Sequence, residues 1–187
     1  MVQLGLTFSM LGLAAGQLLF GPLSDKYGRR PPLLAAMLLF LLSTVGCICA
    51  PSIEVFVALR FVQGIAGAGG IVISRSVAAD KFKGLNLAKA LALIGAINGL
   101  APVAAPVIGG TALKFMSWKG IFAILFVLGL ILLCGCLHFK ESLSTTKRSK
   151  KKLTQTLSLF KPLFGNKKYL FYVLQMSFAQ GLLFAYI

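Results

Sequence analysis

Arg60 is the one charged residue set well inside an apolar run of this 187-residue chain. A charge at membrane depth is costly and by default marks function. On a helix, Arg60, Gln63, Gly64, Gly67, Ile71 and Ser74 share one face. An arginine, a glutamine and a serine on an otherwise small face either line an aqueous cavity or pair with another helix. Alternatively, Arg60 carries its head outward to the nearer boundary, beside Glu54. The stretch 95–110 repeats the spacing with Gly95, Asn98, Gly99, Pro102, Pro106, Gly109 and Gly110. Its prolines remove hydrogen-bond donors and bend a helix, and its glycines admit a second backbone. Such a helix can rock against a neighbour, or simply pack there. A third cluster, GPLSDKYGRRPP at 21–32, frames Asp25, Lys26, Arg29 and Arg30 with Gly21, Gly28 and prolines.

Enzyme chemistry finds no footing here. His138 is the single histidine, which excludes a two-histidine metal site, and no GxxxxGK[ST] phosphate loop occurs. GIAGAGG at 64–70 does not fit GxGxxG. The cysteines form the pairs Cys47/Cys49 and Cys134/Cys136. Residues two apart on a helix do not share a face, so packing is their expected role. Catalytic and metal-ligating residues are therefore expected to be absent.

The elements that must hold these residues are apolar. Mean hydropathy is +0.89 and 12% of residues are charged, against about 25% in soluble domains. Six windows suit bilayer-spanning helices of about 20 residues: 2–23, 33–53, 55–74, 90–113, 120–138 and 169–187. Gly5, Ser9, Gly12 and Gly16 make a small-residue stripe in the first, suited to close packing. The fold class is an all-α membrane protein.

A net charge of +15 invites a nucleic-acid reading, but its distribution excludes one. Sixteen of nineteen basic residues fall in alternate connections: Lys26, Arg29 and Arg30; Arg75, Lys81, Lys83 and Lys89; and nine between 140 and 168. The positive-inside rule puts those connections in the cytoplasm of a multi-pass protein in the cytoplasmic (inner) membrane. Met1 and Ile187 then both lie outside, so the chain reads as a fragment. KRSKKK at 147–152 leads into Leu153, Leu157, Phe160 and Phe164 at helical spacing. That segment suits either a surface helix on anionic lipid or a solvated linker.

Gly21-Pro-Leu-Ser-Asp25-Lys-Tyr-Gly28-Arg29-Arg30 resembles the loop signature of the major facilitator superfamily, G-x-L-[AS]-D-[RK]-x-G-R-[RK]. Leu59 to Gly64 is similar to its R-F-x-Q-G motif. GLAPVAAPVIGG at 99–110, followed by Trp118 to Phe122, resembles the drug:proton antiporter branch, in particular its Bcr/CflA-type multidrug-resistance group. Ala105 stands where that branch usually has glycine.

The resemblance implies a partial major facilitator bundle of six helices, the second to seventh of twelve. Residues 1–139 would be five helices of the N-terminal bundle, 140–168 a basic cytoplasmic linker, and 169–187 the first helix of the C-terminal bundle. It further implies proton-coupled efflux of drugs or other small amphiphilic compounds by alternating access. Gly21, Asp25, Gly28, Arg29 and Arg30 would form a conformational latch, with Asp25 just beyond the first helix. Arg60, Gln63 and Asn98 would serve coupling or the cavity, and Gly99, Pro102, Pro106, Gly109 and Gly110 the helix bend. The partners are the bilayer, a small-molecule substrate and the missing helices of the same transporter. No cofactor is expected, the proton gradient being the driving force. Asp25, Glu54, Asp80 and Glu141 all lie outside the apolar windows, so the piece alone would lack the proton carrier. The alternative is a truncated, non-transporting membrane subunit or remnant that needs a partner chain.

Overall fold

The computed structural model describes residues 2–144, 146, 148–149 and 165–186, and among these no strand occurs. The helices are α1 (Val2–Tyr27), α2 (Arg30–Cys49), α3 (Ile53–Lys81), α4 (Gly84–Ala112), α5 (Trp118–Leu137) and α6 (Lys167–Tyr186). Five of them, α1 to α5, are long and apolar enough to cross a membrane. The amphipathic segment expected around Leu153, Leu157, Phe160 and Phe164 lies outside the described residues.

Two helices run well past the apolar windows at their basic ends. α1 continues to Tyr27 and α3 to Lys81. Hydropathy marks only the stretch matched to lipid, whereas backbone hydrogen bonding carries on into water. Asp25, expected just beyond the first helix, therefore sits in the last turn of α1, and Asp80 in the last turn of α3. The turn between α1 and α2 hinges on Gly28, whose φ of +95° suits glycine. Pro31 and Pro32 follow in the first turn of α2, where a missing N–H does no harm. Ser52 caps α3, its hydroxyl accepting from the Val55 amide at 3.4 Å.

Packing is led by small residues, as expected where lipid leaves little hydrophobic drive between helices. α1 and α3 cross backbone to backbone. A Cβ built on Gly12 would stand 2.1 Å from the Phe61 carbonyl oxygen, and one on Gly64 2.1 Å from that of Ser9. Gly16 meets Ile65 and Ala68 in the same way. α2 lies against α3, with Phe20, Ala36, Ala68 and Ile73 forming the buried core. α5 packs on α2, where Gly129 faces Phe40 and Leu41. α4 leans chiefly on α3 and buries none of its residues.

Candidate functional site

Two polar assemblies stand out, one at the basic end of the bundle and one at membrane depth. At the basic end, Arg29 is the hub, with 7% of its side chain exposed. Its Nε and Nη2 donate to the two carboxylate oxygens of Asp80 at 2.8 and 3.3 Å. Its Nη1 donates to Asp25 Oδ1 at 2.6 Å and to Ser24 Oγ at 2.9 Å. Burial works to lower the guanidinium's pKa, but the Asp80 and Asp25 carboxylates outweigh it and hold the value above the ordinary one. One cation thus ties the end of α1 to the end of α3 across the start of α2.

Glu141, four residues past the end of α5, closes the assembly from the other side. Its Oε1 accepts from the Arg29 amide at 2.8 Å and its Oε2 from the Arg30 amide at 3.1 Å. α2 has no side-chain cap of its own, so this distant carboxylate satisfies its first donors. Burial pushes the Glu141 pKa up, but the amides of Arg29, Leu143 and Arg30, with Arg148 at 3.9 Å, outweigh it and leave the value lowered. Ser142 Oγ donates to Asp80 at 3.4 Å, and the Ser149 amide to the Asp25 carbonyl at 2.8 Å. Arg30 Nη2 donates to the Leu137 carbonyl at 2.8 Å, at the end of α5. Gly28 lies beneath this strap, and a Cβ there would meet Glu141 Oε2 at 2.5 Å. Gly21, by contrast, lies inside α1 with nothing within 4 Å of a Cβ.

At membrane depth, Arg60 Nη1 donates to Gln63 Oε1 at 2.5 Å. Gln63 Nε2 donates to Thr44 Oγ1 on α2 at 2.7 Å, and Thr44 Oγ1 donates to the Phe40 carbonyl at 2.6 Å. Gln63 is 2% exposed and Thr44 0%. The Arg60 guanidinium also stands 5.8 Å from the centre of the Phe122 ring on α5. Among the described residues, no ion pair to a carboxylate is seen at Arg60. Phe122, Phe56 and Trp118 meet edge to face. With the Ala50–Ile53 turn they line a cavity of about 510 Å³ at the end opposite the Arg29 assembly.

The structure therefore joins Arg29 and Asp25, and separately Arg60 and Gln63, but leaves the α4 residues apart. Asn98, Gly99, Pro106 and Gly110 are exposed, and Pro102 and Gly109 half-buried. Sequence reasoning gave no site role to Ser24, Asp80, Glu141 or Thr44. A signal for the acids was present: three of only four carboxylates fall at the arginine-rich end. For Thr44 the signal was a Ser-Thr pair inside an apolar window.

The chain thus carries a glycine-framed ionic loop at its basic end and, separately, an Arg-Gln pair within α3 toward the other end. The chain is 38% identical to the uncharacterized MFS-type transporter YdgK of Bacillus subtilis, covering 100% of this chain and 47% of that protein. It is 35% identical to the bicyclomycin resistance protein homolog of Haemophilus influenzae, with the same two coverages. The chain thus spans about half the length of the curated relatives it matches. Among solved structures, the human organic anion transporter MFSD10 superposes with a TM-score of 0.63 at 26% identity, over 79% of this chain and 34% of that one. The Major Facilitator Superfamily profile matches residues 1–187 from end to end, and the chain, a multi-pass membrane protein, belongs to that family.

Proposed function

We propose that residues 1–187 form part of a secondary transporter that exports drug-like amphiphilic compounds in exchange for protons, by alternating access. The observation that carries this is Arg60, a guanidinium within an apolar helix, gripped by Gln63 and Phe122 but, among the described residues, in no ion pair with a carboxylate. A cation so placed calls for an anionic partner that comes and goes, as a protonatable acid does. In this reading the acid comes from helices beyond these, in a transporter of the relatives' length. Asn98 would line the same cavity. The α4 face of Gly99, Pro102, Pro106, Gly109 and Gly110 would meet the complementary bundle, which its lack of burial suits. The name of the Haemophilus relative supports a drug as cargo.

The loop of Gly21, Asp25, Gly28, Arg29 and Arg30 serves as the latch between states, because ion pairs that can be remade make a bistable element. The basic ends face the cytoplasm, and the membrane is the inner one. In energised cells carrying the transporter, export of an amphiphilic cationic dye should stop when a protonophore collapses the proton gradient. Export that continues after collapse would sink the proposal.

A further inference from the structure

Arg60 and Gln63 sit on one helix, three residues apart, and a long flexible side chain is not fixed by a neighbour that is itself free to turn. A glutamine carboxamide can present either its oxygen or its nitrogen to a partner. A guanidinium can only donate, so the amide serves Arg60 in one orientation alone. What selects that orientation lies on α2. Thr44 Oγ1 gives its own proton to the Phe40 carbonyl, one turn back, at 2.6 Å. Its hydroxyl is then left as an acceptor, which takes a proton from Gln63 Nε2 at 2.7 Å. The Gln63 oxygen is thereby turned to Arg60. The polarity runs one way throughout, from a group that can only donate to a carbonyl that can only accept.

We propose that Thr44 is a positioning residue for Arg60, acting through the Gln63 carboxamide and the Phe40 carbonyl. With Thr44 0% exposed and Gln63 2% exposed, no water competes for these bonds, and an amide left without its acceptor has no other partner there. The line also joins α2 to α3 at the depth of the coupling residue. A shift of α2 along α3 would therefore be felt at the guanidinium, whereas a glutamine acting alone would leave the two helices independent. The importance of this to transport rests on the reading of Arg60 as the coupling cation. The geometry of the line does not.

The test separates the two. The chain contains five arginines, so its guanidinium groups can be resolved by NMR after ¹⁵N-arginine labelling of the full chain in lipid nanodiscs. Arg60→Lys identifies the Arg60 signal. In Thr44→Val, which keeps the shape but removes the hydroxyl, hydrogen exchange at Arg60 should quicken about fivefold, the factor carried by a hydrogen bond of about 1 kcal/mol. Thr44→Ser should restore the slow rate, and the signal of Arg29 should not change in either variant. An Arg60 exchange rate equal to wild type in Thr44→Val would overturn the proposal, as would failure of Thr44→Ser to restore it. Should Thr44→Val not fold, Thr44→Ala with the same serine comparison gives the same decision. If the line holds while Arg60→Ala leaves transport intact, the coupling reading fails and the positioning role stands.

Discussion

Arg29 shows how much of this molecule turns on single side chains. Its guanidinium, nearly shut off from water, is held on Asp80 by two bonds and on Asp25 by one. Removing a partner from a buried pair leaves an uncompensated charge, a loss of about 3 kcal/mol or more. Asp80→Asn is therefore expected to lower thermal stability in detergent markedly. Asp25→Asn should do less, because the Asp25 side chain is 50% exposed and screened. Equal effects in the two melting curves would contradict this ranking. Glu141 gives a pH dependence with a definite sign. Its folded pKa lies below the ordinary value, so the stability it contributes is present at neutral pH and lost as the pH falls through the folded value. Protection of the Arg29 and Arg30 amides against hydrogen exchange, taken relative to the intrinsic rate at each pH, should fall under acid, and Glu141→Gln should show the lower protection already at neutral pH. An Arg29 amide indifferent to both would count against the remote cap.

The same residues mark what could be read in advance. Arg60 and Gln63 were legible because helical periodicity places them together within one segment. Asp80 and Glu141 were not assigned, because their bonds to Arg29 span 51 and 112 positions and local spacing does not record them. Thr44 escaped for the same reason, its partner lying 19 positions away on another helix.

Among the elements, the α1–α3 pair behaves as one piece. Gly12 and Gly64 let the two backbones touch, and each would drive an added methyl into the opposite carbonyl. Overpacking of this kind typically costs about 1–3 kcal/mol where neighbours can yield, and backbone yields less than side chains do. Gly64→Ala is thus predicted to destabilise by at least that range, with Gly12→Ala similar. Gly99→Ala and Gly110→Ala, where nothing stands within 4 Å, should leave the melting temperature of this chain nearly unchanged. Comparable losses at all four would show that the tight crossing is not special. The stripe in α1 was readable as a packing surface, and it is one. The glycines of α4 form an equally clear pattern in sequence, yet they meet nothing in the described structure. A glycine stripe reports that a close approach is possible, not which backbone makes it.

At the scale of the whole molecule, the apolar windows located the six helices of the described residues, and the charge alternation grouped their ends. The Asp25–Arg29–Asp80–Glu141 assembly draws together α1, α2, α3 and the segment after α5 at one pole. The Arg60 line and the aromatic cavity lie deeper and toward the other. Under the proposed function, ion pairs at one pole and a cation without a carboxylate partner among the described residues toward the other would let the molecule alternate between states as that cation gains and loses a partner. Hydropathy could place the helices because lipid demands apolar length. It could not show the partner of Arg60, which packing between helices decides. The central claim is that substrate and proton exchange at the site Arg60 serves. The most direct measurement is proton release from the purified transporter, in weakly buffered detergent solution, on addition of an amphiphilic cationic dye. The account predicts a stoichiometric release that Arg60→Ala abolishes while the protein stays folded. Saturable dye binding with no proton released from the wild type would contradict it.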